Sequence, residues 1–242
     1  MQWTDQGIIL GTRRHGETSL IVELMTRDHG RHLGLVRGGR SRRRQPFLQP
    51  GNTLQVVWRA RLDEHLGNFS FEATTERASR LMVNSTGIYG LQTLAALLRL
   101  LPERDPHPEL YDVLAAILDA LETPAEAAEL LVRFELATLE ELGFGLDLTQ
   151  CAATGSTDDL AYVSPRTGRA VSRAAGLPHH DKLLELPSFL MHRGVETPGA
   201  NDLRAAFGLT GYFLDRHVYE PRSIPVPPQR GRFIALLQQE PA

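Results

Sequence analysis

The chain has one cysteine, Cys151, in 242 residues, and its only lysine is Lys182. A single thiol excludes an intramolecular disulfide and a four-cysteine zinc site, and it fits a reducing compartment. With no lysine in the glycine-rich stretches there is no G-x-x-x-x-G-K phosphate loop. Gly143-Phe144-Gly145 lacks the third glycine of a dinucleotide fingerprint, and neither a G-x-S-x-G elbow nor an H-E-x-x-H pair occurs. Met1-Gln2-Trp3-Thr4-Asp5 has no basic stretch leading into an apolar one, so no secretory signal is expected. The 18-residue uncharged run Leu81–Leu98 contains Asn84, Ser85, Thr86, Gln92 and Thr93. That polarity favours a buried helix over a membrane span, and it leaves the Asn84-Ser85-Thr86 sequon without a role in a cytoplasmic chain.

What is present is an ordinary globular composition, 42% apolar and 23% charged, long enough for one large domain or two to three small ones. The net charge of −3 hides an asymmetry. Residues 1–80 carry 13 arginines against 8 acidic residues, whereas 81–242 carry 13 basic against 21 acidic ones. A basic first part suits a polyanion, and an acidic remainder suits a different partner.

The hydropathy pattern changes at Glu76. Before it, short segments of period 2 separated by glycine turns predict five strands: Ile8–Leu10, Ser19–Thr26, the stretch around Leu33 and Leu35, Thr53–Arg61 and Gly67–Ala73. Five strands in about 75 residues without a helix predict an OB-type barrel, closed to remove its edges. After Glu76 the period is 3.6. Leu91, Leu94, Leu98 and Leu101 form one stripe, and Leu110, Val113, Leu114, Ile117, Leu118 and Leu121 a second. Thr123-Pro124-Ala125-Glu126 reads as a capping box opening a third helix, and Asn201–Tyr219 as a fourth. Between them a hairpin is expected from Ala161–Ser164 to Ala170–Ser172, and the proline-rich Pro221–Pro228 is expected to be extended. The predicted class is therefore α+β: an OB-type barrel over 1–78, then a helical domain over 79–242 with an irregular insertion at 145–198.

No catalytic constellation emerges. His179, His180 and Asp181 are adjacent, so their side chains diverge on either regular backbone, and Cys151 has no neighbouring base to activate it. The strong feature is Arg37-Gly38-Gly39-Arg40-Ser41-Arg42-Arg43-Arg44, five arginines in eight residues with no acid. Guanidinium forks match phosphate oxygens, and like charges at this density repel unless a polyanion relieves them. Arg13 and Arg14 in the first inter-strand loop and Arg31 beside the second are expected on the same face. Trp58, Phe47 and Phe69 are the aromatic candidates for base stacking, with core packing expected for two of them. Contact with the nucleic-acid backbone, without base readout, is the expected mode.

The stretch GIILGTRRHGETSLIVELMTRDHGRHLGLVRGGRSRRR, followed by LQPGN and RLDEHLG and later by RFELATLEELGFGLDL, CAATG and SPRTGRAVS, resembles the RecO family of bacterial recombination mediators over the whole chain. The resemblance implies a non-enzymatic, cofactor-free protein of the cytoplasm and nucleoid. Such a protein binds and anneals single- and double-stranded DNA, engages the tail of the single-strand-binding protein SSB, and acts with RecR to load RecA on gapped DNA. It also implies that Arg133, with Leu130 and Phe134 on the same helix, receives the SSB tail. Many family members carry two C-x-x-C pairs in a zinc-ribbon-like segment. Here Cys151 stands at the first position and Thr154, Ser172 and Ala175 at the others, so the metal is expected to be lost. Outside the resemblance, an RNA- or ribosome-associated OB-fold factor and a pure protein adaptor also fit the charge pattern.

Overall fold

The computed structural model describes residues 1–121, 123–191 and 198–237. The chain divides into two compact units, Met1–Glu122 and Thr123–Ala242. The change of period at Glu76 is thus a change of secondary structure inside the first unit, because three helices share it with the strands.

In the first unit, β1 (Gln2–His15), β2 (Ser19–Thr26), β3 (Gly30–Val36), β4 (Thr53–Arg59) and β5 (Asn68–Thr75) close a barrel in the order β1-β2-β3-β5-β4. Every pairing is antiparallel except the parallel contact of β3 with β5 at Leu35 and Asn68. β1 is much longer than the expected Ile8–Leu10. Its first half, Gln2–Ile8, pairs with β4 and its second half, Gly7–His15, pairs with β2, across a register shift between Ile9 and Gly11. A strand that changes partner midway shows no single alternation, so the pattern revealed only its buried middle. The interior is filled by Ile9, Val22, Leu24, Val36, Leu54, Val56, Trp58 and Phe69. Gly34 makes room for Phe69: a β-carbon there would meet the ring at 2.4 Å.

The helices α1 (Ala78–Leu81), α2 (Ser85–Leu98) and α3 (Pro108–Ala120) complete this unit. The uncharged run forms most of α2, capped by the Asn84 carboxamide oxygen, which accepts from the Gly87 N–H at 2.7 Å. The leucines of both predicted stripes are buried. No helix among the described residues is long and apolar enough to cross a membrane.

One side chain joins the barrel to these helices. Asn52, 1% exposed, donates through Nδ2 to the carbonyls of Pro46 and Phe47, both at 3.1 Å. Its Oδ1 accepts from the N–H groups of Arg77 and Ala78 at 2.8 and 2.9 Å. It therefore caps α1 from a distant part of the chain, replacing the local cap that α1 lacks. The Arg77 side chain continues the link, donating to Thr53 at 2.7 Å and to Asp119 of α3 at 2.6 Å. That guanidinium holds the Asp119 carboxyl below its usual range.

The second unit contains α4 (Pro124–Glu141), α5 (Arg173–Gly176), α6 (Ala200–Leu214), α7 (Pro228–Leu237) and a three-stranded sheet of β6 (Leu160–Val163), β7 (Ala170–Ser172) and β8 (Leu184–Glu185), in the order β7-β6-β8. The expected hairpin is thus two strands of three. Thr123 precedes α4 with Pro124 at the first helical position, but its side chain makes no capping hydrogen bond, so the capping-box reading fails there. α6 continues as a π-helical turn over Asp215–Tyr219; the expected extended run from Pro221 to Pro228 instead begins with turns at 220–223 and ends with Pro228 opening α7, which sequence patterning missed. Residues 192–197 of the irregular insertion lie outside the described residues. α7 is held by Arg230, whose Nε and Nη2 donate to the fully buried carboxylate of Glu135 at 2.6 and 2.9 Å.

Cys151 sits in a buried, hydrogen-bonded corner of the second unit. Cys151, 1% exposed, accepts from the Ser172 N–H at 3.2 Å. Burial pushes its thiol up, but hydrogen bonds from Ser172, Thr154 and the Ala153 backbone prevail and bring it down to about 6. A lone thiol among hydroxyl and backbone N–H donors does not make a tetrahedral zinc ligand set.

Two outcomes follow. Asn52→Leu, similar in volume but without donors or acceptors, leaves two buried N–H groups and two part-buried carbonyls without their partner and should destabilise the first unit by about 2–4 kcal/mol, read from urea unfolding. Metal analysis of the untagged protein should give well under one equivalent of zinc, and a chelator should leave the melting temperature unchanged; a stoichiometric signal would show that other ligands replace the cysteines.

Candidate nucleic-acid interface

The arginine cluster lies on the β3–β4 connection, and that loop is ordered from within. Gly38, at φ +66°, makes the left-handed turn that opens it. Ser41 to Leu48 then coil through successive short-range hydrogen bonds, Arg44 N–H to Ser41 and Leu48 N–H to Arg44 among them. Leu48, 1% exposed, plugs into the barrel core, so the loop is anchored hydrophobically rather than hanging from its glycines. The Arg40 N–H donates to the Thr18 carbonyl, and its guanidinium donates to the carbonyls of Gly16 and Glu17. Arg40 thereby ties the loop to the β1–β2 turn, beside which Arg13 and Arg14 sit. These two lie within β1 rather than in the turn, and adjacent residues of a strand face opposite ways.

Two groups of arginines stand out in this unit. Arg27 pairs with Asp112, Arg77 and Arg80 with Asp119, and Arg99 with Glu23. Arg31, expected among the phosphate contacts, pairs with Glu23 at 3.1 Å and Glu103 at 3.4 Å, and its side chain is only 12% exposed. Its charge is neutralised within the unit. Arg13, Arg14, Arg37, Arg40, Arg42, Arg43 and Arg44, in contrast, are exposed and have no carboxylate within ion-pair distance among the described residues. Seven exposed guanidinium groups without internal counter-charges form a field suited to a polyanion.

Of the aromatic candidates, Trp58 and Phe69 are core residues, and Trp58 Nε1 donates to the Leu66 carbonyl at 3.0 Å. Phe47 is half-buried. Sequence reasoning passed over Phe71, half-buried on β5, over whose ring the Arg44 guanidinium lies at 5.8 Å from the centroid. It also passed over Arg104, which donates to the carbonyls of Asp63, Glu64 and His65 and so holds the β4–β5 loop.

In the second unit, Arg133 donates to Glu129 at 3.0 Å and to the Phe189 carbonyl at 2.6 Å, and it lies over the Phe189 ring. Leu130 is half-buried, but Phe134 is fully buried and presents nothing to a partner. His179, His180 and Asp181 are exposed on a kinked 3₁₀ segment, and among the described residues no group of three or more His, Cys, Asp or Glu is placed to hold a metal.

Residues 1–76 match the family Recombination protein O N terminal, and residues 85–223 match Recombination protein O C terminal. The chain is 64% identical over 234 residues to the DNA repair protein RecO of Rhizobium etli, covering 97% of this chain and 91% of that one. It is 59% identical over 242 residues to the DNA repair protein RecO of Mesorhizobium japonicum, covering 100% and 96%, and 58% identical over 241 residues to that of Methylorubrum populi, covering 98% of each. Both halves of the sequence match in order and nearly end to end, and the chain belongs to the RecO family of recombination mediators in DNA repair.

Proposed function

We propose that the protein acts without enzymatic chemistry, binding single- and double-stranded DNA through the β3–β4 loop and the end of β1 and annealing complementary strands. The carrying observation is the set of exposed arginines without carboxylate partners, on a loop anchored by Leu48 and Asn52. The strand order β1-β2-β3-β5-β4 supports an OB-type assignment, in which strands 2 and 3 and the adjoining loops are the recognition face. Arginines that neutralise phosphates on two strands lower the repulsion between them, and annealing needs no further group. Family membership favours this reading over a ribosomal factor or a pure adaptor. The same reading places the protein in the cytoplasm at the nucleoid, with RecR as its partner and RecA as the recipient of the DNA.

The second unit receives the acidic tail of SSB at Arg133, beside Leu130. The ion pair with Glu129 means that an incoming carboxylate competes with an internal one, and the Phe189 ring under the guanidinium supplies an apolar neighbour for a terminal aromatic residue. The zinc-ribbon likeness of the small sheet is retained as an evolutionary reading, its metal corner replaced by hydrogen bonds around Cys151.

Arg42 and Arg43 are the cleanest test of DNA contact, since Arg40 and Arg44 also donate to backbone carbonyls. Arg42→Ala with Arg43→Ala should make the slope of log affinity against log salt on single strands shallower by about 1.4, the release of two phosphate contacts. An unchanged slope in the folded variant would refute the assignment. For the SSB tail, Arg133→Ala should weaken peptide binding by about 1–3 kcal/mol and Glu129→Gln should strengthen it, with DNA binding unaltered in both. Fluorescence-anisotropy titration of a labelled tail peptide distinguishes this from a groove elsewhere, for which neither change would matter.

A further inference from the structure

Beside the arginine loop lies a cavity of about 430 Å³ that the phosphate-contact reading leaves unexplained. Arg37 and Arg44 reach it from the loop, Arg59 from β4, and Asn68, Ser70 and Phe71 from β5. No carboxylate lines it. Arg59 uses Nε on Gln2 at 2.9 Å, and no bond from its two terminal nitrogens is found among the described residues. Arg44 donates one terminal nitrogen to the Arg37 carbonyl at 2.8 Å, which holds its guanidinium over the Phe71 ring.

These groups suit one chemical class. An aromatic ring and a guanidinium plane form the surface on which nucleobases stack, and every base has a π-face, so such a surface is tolerant of sequence. Arg37 and Arg59 add positive charge for a phosphate. A base in a duplex is stacked and paired and cannot turn its face to a protein without being unstacked. A base in a single strand is free to do so.

We infer that this cavity takes one unpaired nucleotide of a DNA strand, its base against the Phe71–Arg44 pair and its phosphate between Arg37 and Arg59. The inference rests on the reading of the arginine loop as a DNA contact and goes beyond it. The loop alone attracts any phosphate backbone, whereas the cavity discriminates single strand from duplex.

The test compares an oligothymidylate with an abasic strand of the same length, which has the same phosphates and no bases. The parent protein should bind the thymidylate roughly tenfold more tightly, the worth of stacking one base. Phe71→Leu, which keeps an apolar side chain against the core but has no π-face, should bring the ratio close to one and leave duplex affinity within about twofold. Arg42→Ala with Arg43→Ala should weaken both strands and preserve the ratio. Equal binding of the two strands by the parent overturns the inference, as does a Phe71→Leu protein that keeps the parent's ratio. Should Phe71→Leu lose duplex binding as well, the side chain is structural and the parent's ratio alone decides. If the parent binds neither strand, the reading of the loop fails first and this one with it.

Discussion

Asn52 uses its carboxamide in two opposite directions, and both depend on its being buried. Toward the loop it donates to two carbonyls just beyond the arginine cluster, and toward α1 it accepts from two N–H groups that have no local cap. The two N–H groups are buried and would otherwise lack a partner, at a cost comparable to a lost hydrogen bond, and the two carbonyls are part-buried. One side chain therefore decides at once where the loop ends and where the first helix begins. Arg77 and Asp119 then extend the same junction to α3. A loop with five arginines in eight residues would tend to expand through self-repulsion. It is retained by Leu48 inside the barrel and by Asn52 behind it, so the charges can stay exposed without unravelling the backbone that carries them.

The separation of paired from unpaired arginines follows from where the carboxylates are. Glu23 lies on β2 between Arg31 and Arg99, and Asp119 lies on α3 between Arg77 and Arg80, so each acid neutralises more than one base where barrel and helices meet. No acid occurs between Arg37 and Arg61 in sequence, and none is brought there from elsewhere among the described residues. An exposed arginine already paired with a carboxylate gains little from a phosphate, because it must first give up its partner. An unpaired one gains the full charge-assisted contact. The useful charge of this unit is thus smaller, and more localised, than its count of arginines.

This also marks what could be read from residues alone. β2 was legible to its ends, because Leu20, Val22 and Leu24 alternate without interruption and its pairing with β3 runs unbroken from Leu20 to Thr26. The leucine stripes of α2 and α3 were legible for the same reason at period 3.6. Arg31 differs from Arg37 through Glu23, eight residues before it on the neighbouring strand, a cross-strand pairing that charge counting along the chain overlooks, and through Glu103, 72 residues further on. α7 escaped because it is fastened chiefly by Arg230 reaching Glu135 across 95 residues and by one buried phenylalanine, Phe233. Phe71 looked like a second Phe69, two residues on and on the same face, yet only Phe69 enters the core, where Gly34 leaves room for it. Local periodicity reports what a segment buries; it carries no information about which distant charge or ring meets it.

Holding a strand and leaving it able to pair are opposing demands. A surface that stacked every base would sequester the edges a complementary strand has to meet, as extended single-strand-binding grooves do. A surface of phosphate contacts alone would grip duplex at least as well as single strand, since duplex carries the denser charge. One aromatic cavity beside a field of unpaired arginines meets both demands. On the proposed reading, a single nucleotide would be withdrawn from pairing and mark the strand as unpaired, while its neighbours would be held only by their phosphates with base edges free. As pairing proceeds, the captured base gains more from stacking in the duplex than from one phenyl ring, and what remains on the protein is a salt-sensitive backbone contact. On that reading, release of the paired product would be built into the same site that selects the unpaired substrate.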